Sequence, residues 1–326
     1  MFLLIQKRFL KIMRVFRSFT IPKNFNDSVI AIGNFDGLHL GHRAVINEAK
    51  KISLNLKKKV GVMTFEPHPK SFFQKKYEFF RLTPFRMKYE LLKKNKIDFM
   101  LNIKFDKNLM NISSLDFIEK ILLKDLKACH IVTGFDFVFG NRQTGNVNVL
   151  RNFCRSSKEL KFTEIEEKKM DGSEVSSSFI RDLLRSGEIE KANKLLSKKW
   201  TVIGRVLKGE KKAREIGFKT ANMSVNSFCN ICYGVYSVMV ELPKEISNKI
   251  FYGIANYGVK PTFMKKMPIL EVHIFNFNKE IYGKKIKVSF LKFIRKEKRF
   301  ESVEKLKDQI IKDIKQVKKN GIFKNN

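Results

Sequence analysis

A short apolar run, Val29-Ile30-Ala31-Ile32, stops at Gly33, and from about residue 42 to 56 apolar positions recur at helical spacing. A continuous apolar run closed by glycine predicts a strand buried on both faces, and the 3.6-residue period after it predicts a covering helix. The same alternation continues down the chain. Strands are predicted at 60–65, 99–103 and 130–134, with helices at 86–94 and 115–123. Met13-Arg14-Val15-Phe16 reads as a first edge strand. Strands separated by helices imply an α/β layer that binds ligands at the carboxyl ends of its strands.

Residues 178–196 read as helical with a break at Gly187, and beyond Trp200 the pattern changes. Short strands with turn signals between them are predicted at 201–207, 233–241, 251–257, 270–277 and 285–293. That spacing suits an antiparallel barrel or sandwich. The tail, 302–319, carries apolar residues at Val303, Leu306, Ile310 and Ile314, as an amphipathic helix does. The expected organisation is an extension at 1–12, an α/β domain at 13–186, a linker at 187–199 and a β domain at 200–326. Residues 1–12 are read as an upstream extension of a chain starting at Met13; a targeting segment and a membrane-surface helix are the competing readings.

Composition narrows the function classes. The chain has 326 residues, 43% of them hydrophobic and 31 of them Phe, enough for two cores. The net charge is +34, from 66 Lys and Arg against 32 Asp and Glu. Such a balance raises nucleic-acid binding as an alternative class. The basic residues are spread along the whole chain, which argues against a specific nucleic-acid surface and leaves a general attraction for polyphosphates. No apolar run approaches the ~18–20 residues that span a bilayer, so no stable membrane insertion is expected. Cys129, Cys154, Cys229 and Cys232 suit a reducing compartment, and a cytoplasmic location is expected. The lone CxxC at Cys229 and Cys232 lacks the further ligands of a zinc site. A homo-oligomer is compatible with the sequence.

The most informative segment is Gly33-Asn34-Phe35-Asp36-Gly37-Leu38-His39-Leu40-Gly41-His42. It joins a strand to a helix, and a helix N-terminus offers free N–H groups and a positive dipole end to a phosphate. Gly37 and Gly41 remove Cβ atoms from the approach, and His39 and His42, three apart, can aim at one triphosphate. Two surface histidines are the plain alternative for HxxH alone. No Walker A sequence occurs.

With Thr64-Phe65-Glu66-Pro67-His68-Pro69, Arg81-Leu82-Thr83-Pro84, Gly134-Phe135-Asp136-Phe137-Val138-Phe139-Gly140 and Val175-Ser176-Ser177-Ser178-Phe179-Ile180-Arg181, the segment resembles the bacterial bifunctional riboflavin kinase/FAD synthetases. The resemblance implies a Rossmann-like nucleotidyltransferase domain of the HxGH type. It implies that an FMN phosphate attacks the α-phosphorus of ATP, with Gly33, Asn34, Phe35, Asp36 and Gly41 around the nucleotide. His39 and His42 are then donors to the phosphates, and Ser177, Ser178 and Arg181 hold the β/γ end. Ser177 is also suited to cap the helix it opens. The family has arginine where this chain has Phe179.

A second, glycine-punctuated basic loop runs from Gly209 through Lys211, Lys212, Arg214 and Gly217 to Thr220-Ala221-Asn222. Alone it reads equally as a solvated loop or a cover for an ATP polyphosphate. It resembles the riboflavin kinase signature, with Lys219 in place of the family's proline. That resemblance gives Gly209, Lys211 and Gly217 to ATP and Thr220 and Asn222 to ATP and Mg²⁺. Segments 252–263, 270–275 and 282–293 fit the same family in order. In 270–275 Leu270, Val272 and Ile274 share one face of a strand and Glu271 and His273 the other. The resemblance makes Glu271 the base for the riboflavin 5′-hydroxyl, on a six-stranded barrel with a C-terminal helix. The implied ligands are riboflavin, FMN, ATP and Mg²⁺. Retention of only one of the two activities is the nearest alternative.

Overall fold

The computed structural model describes residues 12–73, 80–208, 217–259 and 267–319. They divide into two compact units: 12–73 with Thr83–Glu174, and 80–82 with the chain from Val175 onward. Residues 1–11, on which the reading of an N-terminal extension rests, lie outside the described residues.

In the first unit the strands, in chain order, are β1 (Arg14–Phe16), β2 (Val29–Ile32), β3 (Val60–Glu66), β4 (Phe99–Lys104), β5 (His130–Gly134), a hairpin of β6 (Val138–Phe139) and β7 (Gly145–Asn146), and β8 (Lys161–Ile165). A second hairpin, β9 (Lys169–Met170) with β10 (Ser173–Glu174), follows. Between them run α1 (Leu40–Asn55), α2 (Pro69–Phe73), α3 (Phe85–Lys94), α4 (Lys107–Asn111), α5 (Ser114–Asp116) and α6 (Val147–Ser156). The helix expected over 115–123 is α5 continued by a wider-wound stretch, Phe117–Asp125.

Six strands form one sheet in the order β1-β4-β3-β2-β5-β8, with every pairing parallel. The uniform apolarity of β2 now has its cause. Ile30 and Ile32 enter one core with Met63, Leu101 and Phe117. Val29 and Ala31 enter the opposite one with Val45, Ile46 and Ala49 of α1. Both faces are covered, so neither set of alternate positions can be polar. The chain leaves β2 through α1 to β3 on one side, while β5 lies on the other. That reversal makes the carboxyl end of β2 the switch point where open α/β sheets bind ligands. The edge strand β8 was not legible because its Lys-Phe-Thr-Glu-Ile sequence is exposed or half-buried throughout.

In the second unit α7 (Ser177–Ser186) and α8 (Ile189–Leu196) are broken at Gly187, whose φ of 85° is the left-handed conformation a helix C-cap favours. Residues 189–196, within the segment expected as a linker, are helix, and the compact units meet after Glu174. Asn193 ties α8 down: its Nδ2 donates to the Phe290 carbonyl (2.9 Å) and its Oδ1 accepts from the Trp200 N–H (2.6 Å).

The strands β11 (Thr201–Leu207), β12 (Ala221–Ser224), β13 (Gly234–Glu241), β14 (Ile250–Val259), β15 (Pro268–Ile274) and β16 (Lys285–Lys296) close a barrel in the order β11-β12-β15-β14-β13-β16. Strand β12 was not expected; at four residues it is too short for a period to show.

The last helix, α9 (Val303–Lys319), departs from its expected apolar stripe. Val303 is exposed, whereas Ile310 and Ile314 pack with Val235, Ile254 and Val317. One buried position on α9 is charged: Asp313 is 2% exposed and accepts from Arg295 Nε at 3.0 Å and Nη2 at 2.8 Å. Gln309 Nε2 donates to the same carboxylate at 2.8 Å. Removing one partner of a buried pair leaves the other charge uncompensated, at a cost of roughly 3–5 kcal/mol. Asp313→Asn is expected to destabilise the barrel unit by an amount of that order in a urea titration. A change within 0.5 kcal/mol, roughly a surface-substitution effect, would show that Arg295 re-pairs.

Candidate functional site

The first constellation is the loop after β2. Phe35 and Leu38, each 1% exposed, sink into the core and hold the loop from below. Both sit at positive φ, 50° and 51°, with Gly37 between them at 88°. Positive φ at two bulky residues is strained, and such strain concentrates where a loop must present its backbone to a ligand. Asp36 is buried and its Oδ1 accepts from the Thr83 N–H at 2.8 Å, while Thr83 Oγ1 accepts from the Gly37 N–H at 3.0 Å. This reciprocal pair pins the turn to the start of α3. The Asn34 carbonyl accepts from Thr64 Oγ1 at 3.2 Å and from Lys88 Nζ at 2.6 Å. Lys88 is itself only 4% exposed, so its amine lies buried beneath the loop.

His39 caps α1. Its Nδ1 accepts from the His42 N–H at 3.4 Å, which requires that Nδ1 carry no proton and that the neutral ring hold its hydrogen on Nε2. The rings of His39 and His42 stack with centroids 3.7 Å apart at 24°, and Phe35 meets His42 edge-on at 5.3 Å. Both histidines therefore stand together at the N-terminus of α1, beside Gly41 in its first turn. Gly33 ends β2, and its N–H donates to the Met63 carbonyl at 3.1 Å. Asn34 Oδ1 is buried without a hydrogen-bond partner among the described residues, an acceptor available to a ligand.

Ser177, Ser178 and Arg181 lie on α7 in the second unit. Ser176, rather than Ser177, is the cap: its Oγ accepts from the Phe179 N–H at 3.2 Å. Arg181 is 4% exposed, donates from Nε to the Phe80 carbonyl at 2.7 Å and lies 3.7 Å from the centre of the Phe80 ring.

The second constellation is on the barrel. Cross-strand register aligns Asn222 of β12 with Glu271 of β15, and Glu271 with Asn256 of β14. Partners directly opposite in antiparallel strands share a face, so the three polar residues form one row. Leu270, Val272 and Ile274 point the other way and are buried. Thr220 and Asn222 also line a cleft that reaches round to Val272, Phe277 and Tyr282, and Glu271 does not contribute to it. Asn222 Oδ1 is buried with no hydrogen-bond partner among the described residues. An uncommitted carbonyl oxygen beside a hydroxyl is the hard donor set Mg²⁺ takes. His273 Nδ1 donates to the Lys219 carbonyl at 2.9 Å, so the turn before Thr220 is tied to β15 although it lacks proline. Gly217 stands at φ 92°; Gly209 and Lys211 lie outside the described residues.

Lys88, Thr83, Asn256 and Glu297 carried no assigned role in the sequence. Lys88 gives no local signal in a chain with 66 Lys and Arg, and only its burial singles it out. The cysteines are all free thiols, and burial pushes Cys154 up to about 11, which leaves it unreactive. Among the described residues no helix is long and apolar enough to cross a membrane.

Comparison with known proteins also finds two parts, meeting between residues 179 and 196. The family model for FAD synthetase matches residues 21–179 and that for riboflavin kinase residues 196–320. A protein of Buchnera aphidicola subsp. Schizaphis graminum, named bifunctional riboflavin kinase/FMN adenylyltransferase, is 38% identical over 94% of this chain and 98% of its own. Proteins of the same name from Haemophilus influenzae and Bacillus subtilis are 37% and 36% identical, over 89% and 88% of this chain and 92% and 90% of theirs. A solved chain from Streptococcus pneumoniae, described as a macrolide-efflux protein, superimposes with a TM-score of 0.83 at 27% identity, covering 94% of this chain and 99% of that one.

Proposed function

Because the chain belongs to the bifunctional riboflavin kinase/FMN adenylyltransferase family, we propose that it phosphorylates riboflavin to FMN and then joins FMN to AMP from ATP, giving FAD and pyrophosphate. The observation that carries the reading is that each compact unit has its own constellation suited to a nucleotide: the stacked histidines at the N-terminus of α1, and the Asn222–Glu271 row on the barrel. Two separate ATP reactions need two such places.

In the kinase step the riboflavin 5′-hydroxyl oxygen bonds to the γ-phosphorus of ATP, the bond to ADP breaks, and Glu271 accepts the hydroxyl proton. A strand carboxylate suits this role because the sheet holds it rigidly at one depth on one face. Thr220 and Asn222 would hold Mg²⁺, which offsets phosphate charge when bound; the buried, uncommitted Asn222 Oδ1 supports this. The Lys219–Thr220 turn, tied by His273, sets the height of the Thr220 hydroxyl.

In the adenylyl step an FMN phosphate oxygen attacks the α-phosphorus and pyrophosphate leaves, with no covalent enzyme intermediate. The first unit then has to position and to stabilise charge. His39, with its hydrogen on Nε2, and His42 donate to the phosphates. The α1 N-terminus adds its dipole, and buried Lys88 holds the Asn34 carbonyl from beneath. Residues 33–36 and Gly41 line the approach, with Asn34 Oδ1 as an acceptor. The four free thiols support a cytoplasmic setting.

The test is a two-step assay of the full chain. Riboflavin with Mg-ATP should yield FMN, and FMN with Mg-ATP should yield FAD and pyrophosphate, both read by chromatography of the fluorescent flavins. Failure of well-folded protein to make one product removes that half of the reading.

A further inference from the structure

The row on the barrel extends one residue beyond those assigned above. Asn256 stands across from Glu271 on the far side from Asn222, and its Nδ2 donates to Glu297 Oε1 at 3.2 Å. Glu297 follows β16 and comes from a different part of the barrel. Glu297 also occupies space that a larger residue at position 258 would fill. Two residues along β14 from Asn256, a Cβ on Gly258 would overlap Glu297 Oε1 and lie 2.6 Å from its Cδ. Gly258 is not at positive φ, so a Cβ there would act through space, by displacing the end of the exposed Glu297 side chain.

An asparagine amide can be turned either way, and a carboxylate can only accept. Glu297 therefore fixes which end of Asn256 faces it, placing the amide nitrogen toward the carboxylates. That nitrogen has two N–H groups and can give one to each of two carboxylates. It orients both and separates their like charges. Opposed Cβ atoms on neighbouring antiparallel strands are about 4.5–5.5 Å apart, within reach for such a bond.

Building on the kinase reading, we propose that Asn256 is a positioning residue for Glu271 in riboflavin phosphorylation, that Glu297 sets the orientation of its amide, and that position 258 is glycine to seat Glu297. Asn256 holds the Glu271 carboxylate aimed at the 5′-hydroxyl, without touching the transferred phosphate.

Steady-state FMN formation, read as kcat and KM separately, and thermal melts of four variants test this. Asn256→Ala should lower kcat about 10–100-fold, less than loss of the base itself, with the riboflavin KM within about threefold. Glu297→Ala should behave likewise, and Glu297→Gln should recover most of the loss because its amide oxygen accepts the same bond. Gly258→Ala, which alters no polar group, should reproduce Glu297→Ala. FAD formation from supplied FMN should be unchanged in all four. A rise in KM with kcat preserved, or full activity in Glu297→Ala, would overturn the proposal. If the unaltered chain makes no FMN, the kinase reading itself fails, which is a different result from variants that match an active parent.

Discussion

His42→Ala is expected to reduce FAD formation from FMN and ATP by about 10²–10³-fold, the range for removing one preorganised donor to a developing charge, while FMN formation stays within about twofold of the parent. The argument rests on the geometry at the start of α1. His42 stacks on His39 at 3.7 Å and offers its own N–H to His39 Nδ1, so the two imidazoles form one unit at the helix N-terminus. Alanine keeps the helix and the backbone N–H that satisfies His39, so the fold of the loop should survive. What is lost is one side-chain donor and the stack that orients the other. The barrel's chemistry is independent of this loop, which makes FMN formation an internal control. Equal loss of both products, or an unchanged rate of FAD formation, would remove His42 from the adenylyl step.

Glu271→Ala should give the reverse pattern. FMN formation is expected to fall about 10²–10⁴-fold, the usual contribution of a positioned general base, with FAD formation from supplied FMN retained. Glu271→Gln separates charge from shape: it preserves the cross-strand packing against Asn222 and Asn256 but cannot take a proton. Both variants should therefore be similarly inactive in the kinase step, with melting temperatures close to the parent. A glutamine variant with near-normal kcat would show that Glu271 only packs, and that solvent accepts the proton.

Much of this arrangement was legible along the chain because it depends on local order. A strand buried on both faces must be apolar throughout, so β2 and β5 were readable from Val29-Ile30-Ala31-Ile32 and His130-Ile131-Val132-Thr133-Gly134. The break at Gly187 was readable because a left-handed turn favours glycine. Half-exposed β8 and four-residue β12 were not, since neither has a period that differs from a loop. The C-terminal helix was placed correctly, but Val303 of its expected stripe is exposed, and buried Asp313 gave no signal because its partner Arg295 lies on another element.

The candidate sites divide in the same way. His39, His42, Asp36 and the flanking glycines are consecutive, so the sequence by itself determined that they form one loop between a strand and a helix. It determined likewise that Glu271 and His273 share a face, because a strand alternates with period two. Only the tertiary structure decided what stands beside them. Thr83 clamps Asp36 and Gly37 from 46 residues away, Lys88 reaches the Asn34 carbonyl from 54, and Glu297 meets Asn256 across 41. Such pairings follow from sheet order and barrel closure, which are set by long-range packing and register rather than by local propensity.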